Sequence, residues 1–318
     1  MKYIKIFENE NDYNSFISTV DYETPNVSII LDTKDIKYNP RLAPLQYLTI
    51  ESLEDELTVQ LSNSNCQYSL DRKTWIDLPA NTETPKIKSG EKLYFKKETQ
   101  TISSIGTFTI SKKFNLSGNV MSLLFGDNAR TNTDLTGYNN AFSGLFQNCT
   151  TLQSVSNEFL PAKTLSYSCY SGMFYGCTSL TKAPELPATN LADNCYESMF
   201  QGCTSLTTAP ELPAITLASY CYRGMFNNCD SLTISPVLPA TTLVNSCYAY
   251  MFKGCGNLYQ ITALFTTDPT FIPGPTPVYT TDWVSGVAKT GIFYKSPSAK
   301  WTTVGTYGVP SGWEIKTV

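Results

Sequence analysis

Cysteine recurs in this chain on a fixed spacing. Residues 169–194 read CYSGMFYGCTSLTKAPELPATNLADN, residues 195–220 read CYESMFQGCTSLTTAPELPAITLASY, and residues 221–246 read CYRGMFNNCDSLTISPVLPATTLVNS. Paired thiols can cross-link, bind a soft metal, or fill a core. In a helix, two cysteines eight residues apart lie about 12 Å apart along the axis, beyond the roughly 7 Å limit for a disulfide. Pairing between neighbouring units stays geometrically open. However, one column has five members (Cys149, Cys177, Cys203, Cys229, Cys255), an odd number, and the other has four (Cys169, Cys195, Cys221, Cys247). Close-spaced C-x₂-C ligand pairs are absent, so no metal is expected. Cysteine as a small buried hydrophobe is the better account. The expected structural core is Cys169, Cys177, Cys195, Cys203, Cys221 and Cys229, with Met173, Met199, Met225, Phe174, Phe200 and Phe226.

Carboxylates are the other candidates for chemistry. Glu185 and Glu211 fall at equivalent positions of two units, which makes a ladder rather than a cleft holding two differently tuned acids. Glu51, Glu54, Asp55 and Glu56 read as a solvated turn. The chain contains no histidine, which removes histidine-dependent nucleophilic catalysis and histidine-containing zinc sites. No catalytic residue and no cofactor is expected, and the chain reads as a non-enzyme.

With 318 residues and 42% apolar content, two or three modules are expected. The formal net charge is −4 and no basic run is present, which argues against nucleic acid or an anionic membrane as partner. No apolar run approaches the roughly 18–20 residues of a membrane helix, so no membrane insertion is expected. The start, MKYIKIFENENDY, turns acidic before an apolar h-region forms, which predicts a chain that does not use the usual signal peptide.

Four segments follow from the patterning. Residues 1–43 form a small separate element, with KYIKIF and NVSIILD as short strands and ENDYNSFIST as a short helix. Residues 44–115 alternate as strands (YLTIES, LTVQLS, CQYSLD, TWIDL, KLYFKK, GTFTISKKF) and predict a small sandwich-like domain with Trp75 and Tyr68 in its core. Residues 116–265 hold the 26-residue repeats. A longer copy begins at Ala141, a truncated one begins at Cys247, and NVMSLLFGDN reads as a worn first copy. Residues 266–318 close the chain.

Within a unit, Cys221, Met225 and Cys229 fall at roughly 0°, 40° and 80° on a helical wheel, with Tyr222 and Phe226 beside them. That spacing predicts an amphipathic helix of about two turns. A short strand follows, with Leu180, Leu206, Leu232 and Leu258 pointing inward. The prolines of PELPA then force an extended path, because proline cannot donate to a ladder. Strands about 4.8 Å apart opposite helices about 8–10 Å apart predict a curved stack of repeats. The fold class expected is therefore mixed α+β: a β-rich, sandwich-like N-terminal domain, a curved solenoid and a C-terminal capping segment.

The pattern LPATTL…CYxxMFxGCTSLTxAPELPA resembles the BspA-like leucine-rich repeats of Bacteroides-type bacteria and their phages, over about residues 141–265. WVSGVAKTGIFYKSP…VPSGWEIKTV resembles the closing segment such proteins carry. The resemblance implies a leucine-rich-repeat-type solenoid used in adhesion or recognition. Together with the expected lack of a signal peptide, it points to a phage virion surface protein of head-fibre, tail-fibre or decoration type. Such a protein would be made in the host cytoplasm. Its N-terminal region would attach to the particle, with other virion proteins or further copies of itself (a homo-oligomer such as a trimer) as partners. Its repeats would bind a host-surface or mucus glycan or protein. The alternative is a bacterial cell-surface adhesin of the same family. Contact is expected at exposed positions that vary between repeats: Lys182, Thr208 and Ile234, and Glu185, Glu211 and Val237.

Overall fold

The computed structural model describes residues 4–7, 28–31, 46–97, 104–270 and 279–318. The chain divides into two compact units, Met1–Leu45 and Gln46–Val318. In the first, β1 (Ile4–Phe7) pairs in parallel with β2 (Ser28–Leu31). The helix expected in ENDYNSFIST lies outside the described residues.

The second unit opens with β3 (Leu48–Ser52), β4 (Val59–Leu61), β5 (Cys66–Ser69), β6 (Ile76–Leu78), β7 (Lys92–Lys96), β8 (Phe108–Ile110) and β9 (Phe114–Ser117). Each strand segment read from residues 44–115 contains one of them. Leu93, Tyr94 and Phe95 of β7 are all buried, so this strand is covered on both faces. Tyr68 is buried, but Trp75 is only half-buried. Its ring meets Tyr47 edge-on at 4.7 Å and lies 4.4 Å from the Lys96 ammonium. Trp75 is therefore not a core aromatic, and its ring already carries a cation. The sheet, in the order β10-β9-β3-β7-β5-β6, takes in β10 (Leu152–Val155) from the first repeat, so it continues across position 115/116.

The repeats are not helical, and here the expected class is overturned. Among the described residues the one α-helix is α1 (Ser122–Phe125). It lies inside NVMSLLFGDN, the segment expected to be a worn repeat. The chain is mostly strand and turn, arranged in separate sheets, so neither the mixed α+β content nor the curved leucine-rich-repeat-type solenoid is supported. The curvature argument needed wide helices opposite narrow strands, and those helices are absent.

A different device occupies the helical stretch. Tyr196, Ser198, Phe200 and Gly202 donate their N–H groups to the carbonyls of Cys221, Arg223, Met225 and Asn227 in the next unit, at 2.8–3.1 Å. The residues between them, Glu197, Met199, Gln201 and Cys203, donate to the carbonyl three positions back. An α-helix would direct every donor four positions back. Left-handed backbone recurs at every fourth residue, at Asn194 (φ 58°), Ser198 (φ 54°) and Gly202 (φ 75°), which no α-helix tolerates. A four-residue period still gathers Cys195, Met199 and Cys203 on one side, as a helical wheel does.

The same ladder joins every pair of neighbouring units. It begins at Ile105 and Phe108, which donate to Ala141 and Leu145, and not in NVMSLLFGDN. At the far end, Tyr248, Tyr250, Phe252 and Gly254 donate to Tyr279, Thr281, Trp283 and Ser285. Asp282 and Gly286 hold the left-handed positions there, so residues 279–287 form a further unit without cysteine. Beyond the turns, β11 (Ile234–Leu238), β12 (Gln260–Ala263), β13 (Ile292–Lys295) and β14 (Glu314–Thr317) make a four-stranded parallel sheet in that order. In the two units carrying PELPA the strand shrinks to a single bridge, Lys182 to Thr208, although the unit that forms β11 carries prolines at the same two positions, Pro236 and Pro239.

Gly202 separates the two geometries by sign. A Cβ there would meet nothing closer than Gly176 Cα at 3.7 Å, so Gly202→Ala tests backbone conformation alone. In a helix this substitution would stabilise by about 1 kcal/mol. In the observed left-handed position it should destabilise by about 1–2 kcal/mol. Urea unfolding of the variant against the parent chain gives the sign.

Candidate functional site

Two surfaces flank a buried frame, and the frame explains the thiols. All twelve residues read as structural core, from Cys169 to Phe226, have no exposed surface. Phe108, Phe146, Phe174, Phe200, Phe226 and Phe252 form one column, with ring centroids 5.3–5.9 Å apart and planes within 13°. Phe142, Tyr170, Tyr196, Tyr222 and Tyr248 form a second, at 5.6–6.0 Å. Near-parallel rings at this spacing are offset stacks. The hydroxyls of Tyr170, Tyr222 and Tyr248 are buried without a hydrogen-bond partner. Each costs about 1–3 kcal/mol, which burial of the ring must outweigh.

The ten cysteines are all free and buried. Those of the second column have a specific partner. Cys177, Cys203, Cys229 and Cys255 Sγ–H groups donate to the carbonyls of Phe146, Phe174, Phe200 and Phe226 in the preceding unit, at 3.0–3.2 Å. These carbonyls accept a turn N–H from three residues on, as Phe200 O does from Cys203, and take no inter-unit backbone bond, so each has a lone pair to spare. Cysteine in this column is a small apolar filler that also carries one weak donor. Burial pushes the Cys169, Cys203 and Cys255 thiols up to about 12 from an ordinary value of 9.0, and Cys177, Cys221 and Cys229 rise well above 9.0 for the same reason.

The face after the second cysteine carries the open surface. Leu180, Leu206 and Leu232 are fully buried beneath it, and Leu186, Leu212 and Leu238 nearly so. All six positions expected to contact a ligand are exposed, Ile234 at 45% and Val237 at 51% among them. The structure brings Lys182, Glu185 and Glu211 together in one open groove of about 530 Å³, walled by Pro184, Pro187, Pro210 and Pro213. Thr208 bridges to Lys182. Ile234 and Val237 stand further along on β11, outside the groove lining.

Asn157 is the groove residue that sequence reasoning missed. Its side-chain oxygen accepts from Lys182 Nζ at 3.3 Å, and its backbone oxygen accepts from Glu185 N–H at 3.2 Å. It belongs to the irregular first repeat, where no copy of the motif marks it. Glu51, Glu54, Asp55 and Glu56 do not converge on a cleft: Glu54 faces Lys113, Glu56 faces Lys86, and Asp55 accepts from Ser89 N–H.

The outer face of the turns is tied across units. Asn194 donates to Glu197, Glu197 pairs with Arg223, and the Arg223 guanidinium lies over Tyr250 at 5.4 Å. Lys253 lies over the same ring and pairs with Asp282. Charged residues offset by one repeat were the available signal for this chain of contacts. Among the described residues no helix is long and apolar enough to cross a membrane, and no three His, Cys, Asp or Glu side chains converge as a metal set.

Comparison of the chain with protein-family models, with curated proteins and with solved structures gives no match.

The thiol ladder predicts a pH limit. Folded thiols hold their protons to about 12, whereas unfolded ones release them near 9.0. Raised values leave stability intact below pH 9 and erode it as pH climbs from 9 towards 12. The slope is about 1.4 kcal/mol per pH unit for each thiol. The urea midpoint should stay level up to pH about 8 and fall steeply above 9. Replacing the four first-column cysteines by alanine should flatten that fall, even though it lowers the plateau.

Proposed function

We propose that this chain is a non-enzymatic recognition protein of a virion surface, and that its repeats bind a host-surface or mucus ligand through the proline-walled groove and the row of exposed side chains beside it. One observation carries the reading: side chains that differ between repeats stand exposed over buried positions that do not differ. Lys182, Thr208 and Ile234 vary above invariant leucines, and the position that holds Glu185 and Glu211 becomes Val237 in the third unit. A frame joined by backbone bonds holds such a row still, which limits the ordering cost of binding. The groove is open to solvent, unlike an enclosed reaction site. The resemblance to BspA-like repeats supports the assignment to a phage of Bacteroides-type bacteria. The separate unit Met1–Leu45 is the part assigned to attachment on the particle.

The test uses the full chain, fluorescently labelled, on intact Bacteroides-type cells and on immobilised mucin. Saturable binding is expected. Glu185→Gln combined with Glu211→Gln should weaken it about tenfold, equivalent to about 1.4 kcal/mol. Equal binding by parent and double variant would remove the groove from the reading, and no binding to either surface would overturn it.

A further inference from the structure

Strand β14 closes the four-stranded parallel sheet, and among the described residues no strand pairs with its outer edge. Glu314 N–H donates to Gly291 O and Val318 N–H to Lys295 O, so residues 314, 316 and 318 turn their backbone groups towards β13. In a parallel ladder the residues between them turn theirs away. The N–H and C=O groups of Ile315 and Thr317 therefore line an open edge, a template for another strand.

The side chains on this edge carry a second signal. Ile315 is in register with Phe293, which is in register with Ile261. Those two are fully buried, yet Ile315 is 43% exposed. The apolar face of the sheet thus runs out to the edge with its last side chain uncovered. On the opposite face of the same strand stand Glu314 and Lys316, 3.3 Å apart.

We propose that the occupant of this edge is a second copy of the chain, whose own β14 pairs antiparallel with the first about a two-fold axis through Ile315. Residue 315 then faces its own counterpart, and the pair exchanges both backbone hydrogen bonds. Glu314 stands opposite Lys316 of the second copy, and Lys316 opposite its Glu314, in the closely spaced pairs where side chains interact most. The patch is self-complementary, as an isologous contact requires. Parallel pairing of two copies in the same register would instead set Glu314 against Glu314. The two Ile315 side chains would cover each other and extend the apolar face across the axis.

Native mass measurement and sedimentation of the full chain over a concentration series test this. The parent should form a species of twice the 35.3 kDa chain mass. Lys316→Glu sets like charges opposite each other throughout the pairing and should raise the dissociation constant at least tenfold. Combining it with Glu314→Lys restores opposite charges and should restore the dimer, while also showing that the changes are compatible with folding. A monomeric parent chain, a trimer, a dimer indifferent to Lys316→Glu, or a double variant that fails to recover would each overturn the proposal.

Discussion

Everything in the second unit depends on how the backbone divides its donors. In each repeat, alternate N–H groups close tight turns and the remainder reach into the next repeat. This division needs left-handed backbone at every fourth residue, at positions such as Asn194, Ser198 and Gly202. Five such bonds join the unit at Cys195 to the next, and each is worth about 0.5–1.5 kcal/mol net. They bring the units close enough for the phenylalanine and tyrosine rings to stack. Cysteine fills its place in these layers and, in the second column, its Sγ–H also reaches a phenylalanine carbonyl of the preceding unit.

Placement of the side chains was more legible in the sequence than the backbone was. A period of four and a period of 3.6 both gather residues i, i+4 and i+8 on one side. The cysteines, methionines and phenylalanines could therefore be assigned to the interior on the wrong secondary structure. Gly172 and Gly176, and Asn194 with Gly202, carried the distinguishing information, since glycine and asparagine spaced by fours are poor helix formers but good left-handed residues. The prolines of PELPA led to a short strand, and the PELPA units do hold only a bridge. Yet β11 keeps five residues with Pro236 among them, so proline alone does not set the length. By contrast, the unit at residues 279–287 has lost its cysteines and is offset from the 26-residue period, so only Asp282 and Gly286, four apart, betray it.

The candidate surface was legible for a related reason. Exposure after the second cysteine follows from alternation about buried leucines, and alternation survives an error in the neighbouring element. What did not survive was anything that required two distant segments. Asn157 comes from an irregular 3₁₀ turn and reaches Lys182 and Glu185 only in the folded chain. Trp75 looked like a core residue because its strand alternates, yet Tyr47 and Lys96 occupy its ring.

The ladder also has a direction. Each unit offers donors to the one that follows and acceptors to the one before, and the junctions at Cys195 and Cys221 present the same groups at the same spacing. Removing one such unit, or copying it, would leave the two newly joined faces as well matched as the old ones. Only the ends are unique: Phe108 starts the phenylalanine column, and Trp283 packs against both Phe252 and Tyr248 to finish the two columns together. A lineage carrying this chain can therefore lengthen or shorten its exposed row by whole-unit recombination in a single event, changing what it displays without inventing a new interface.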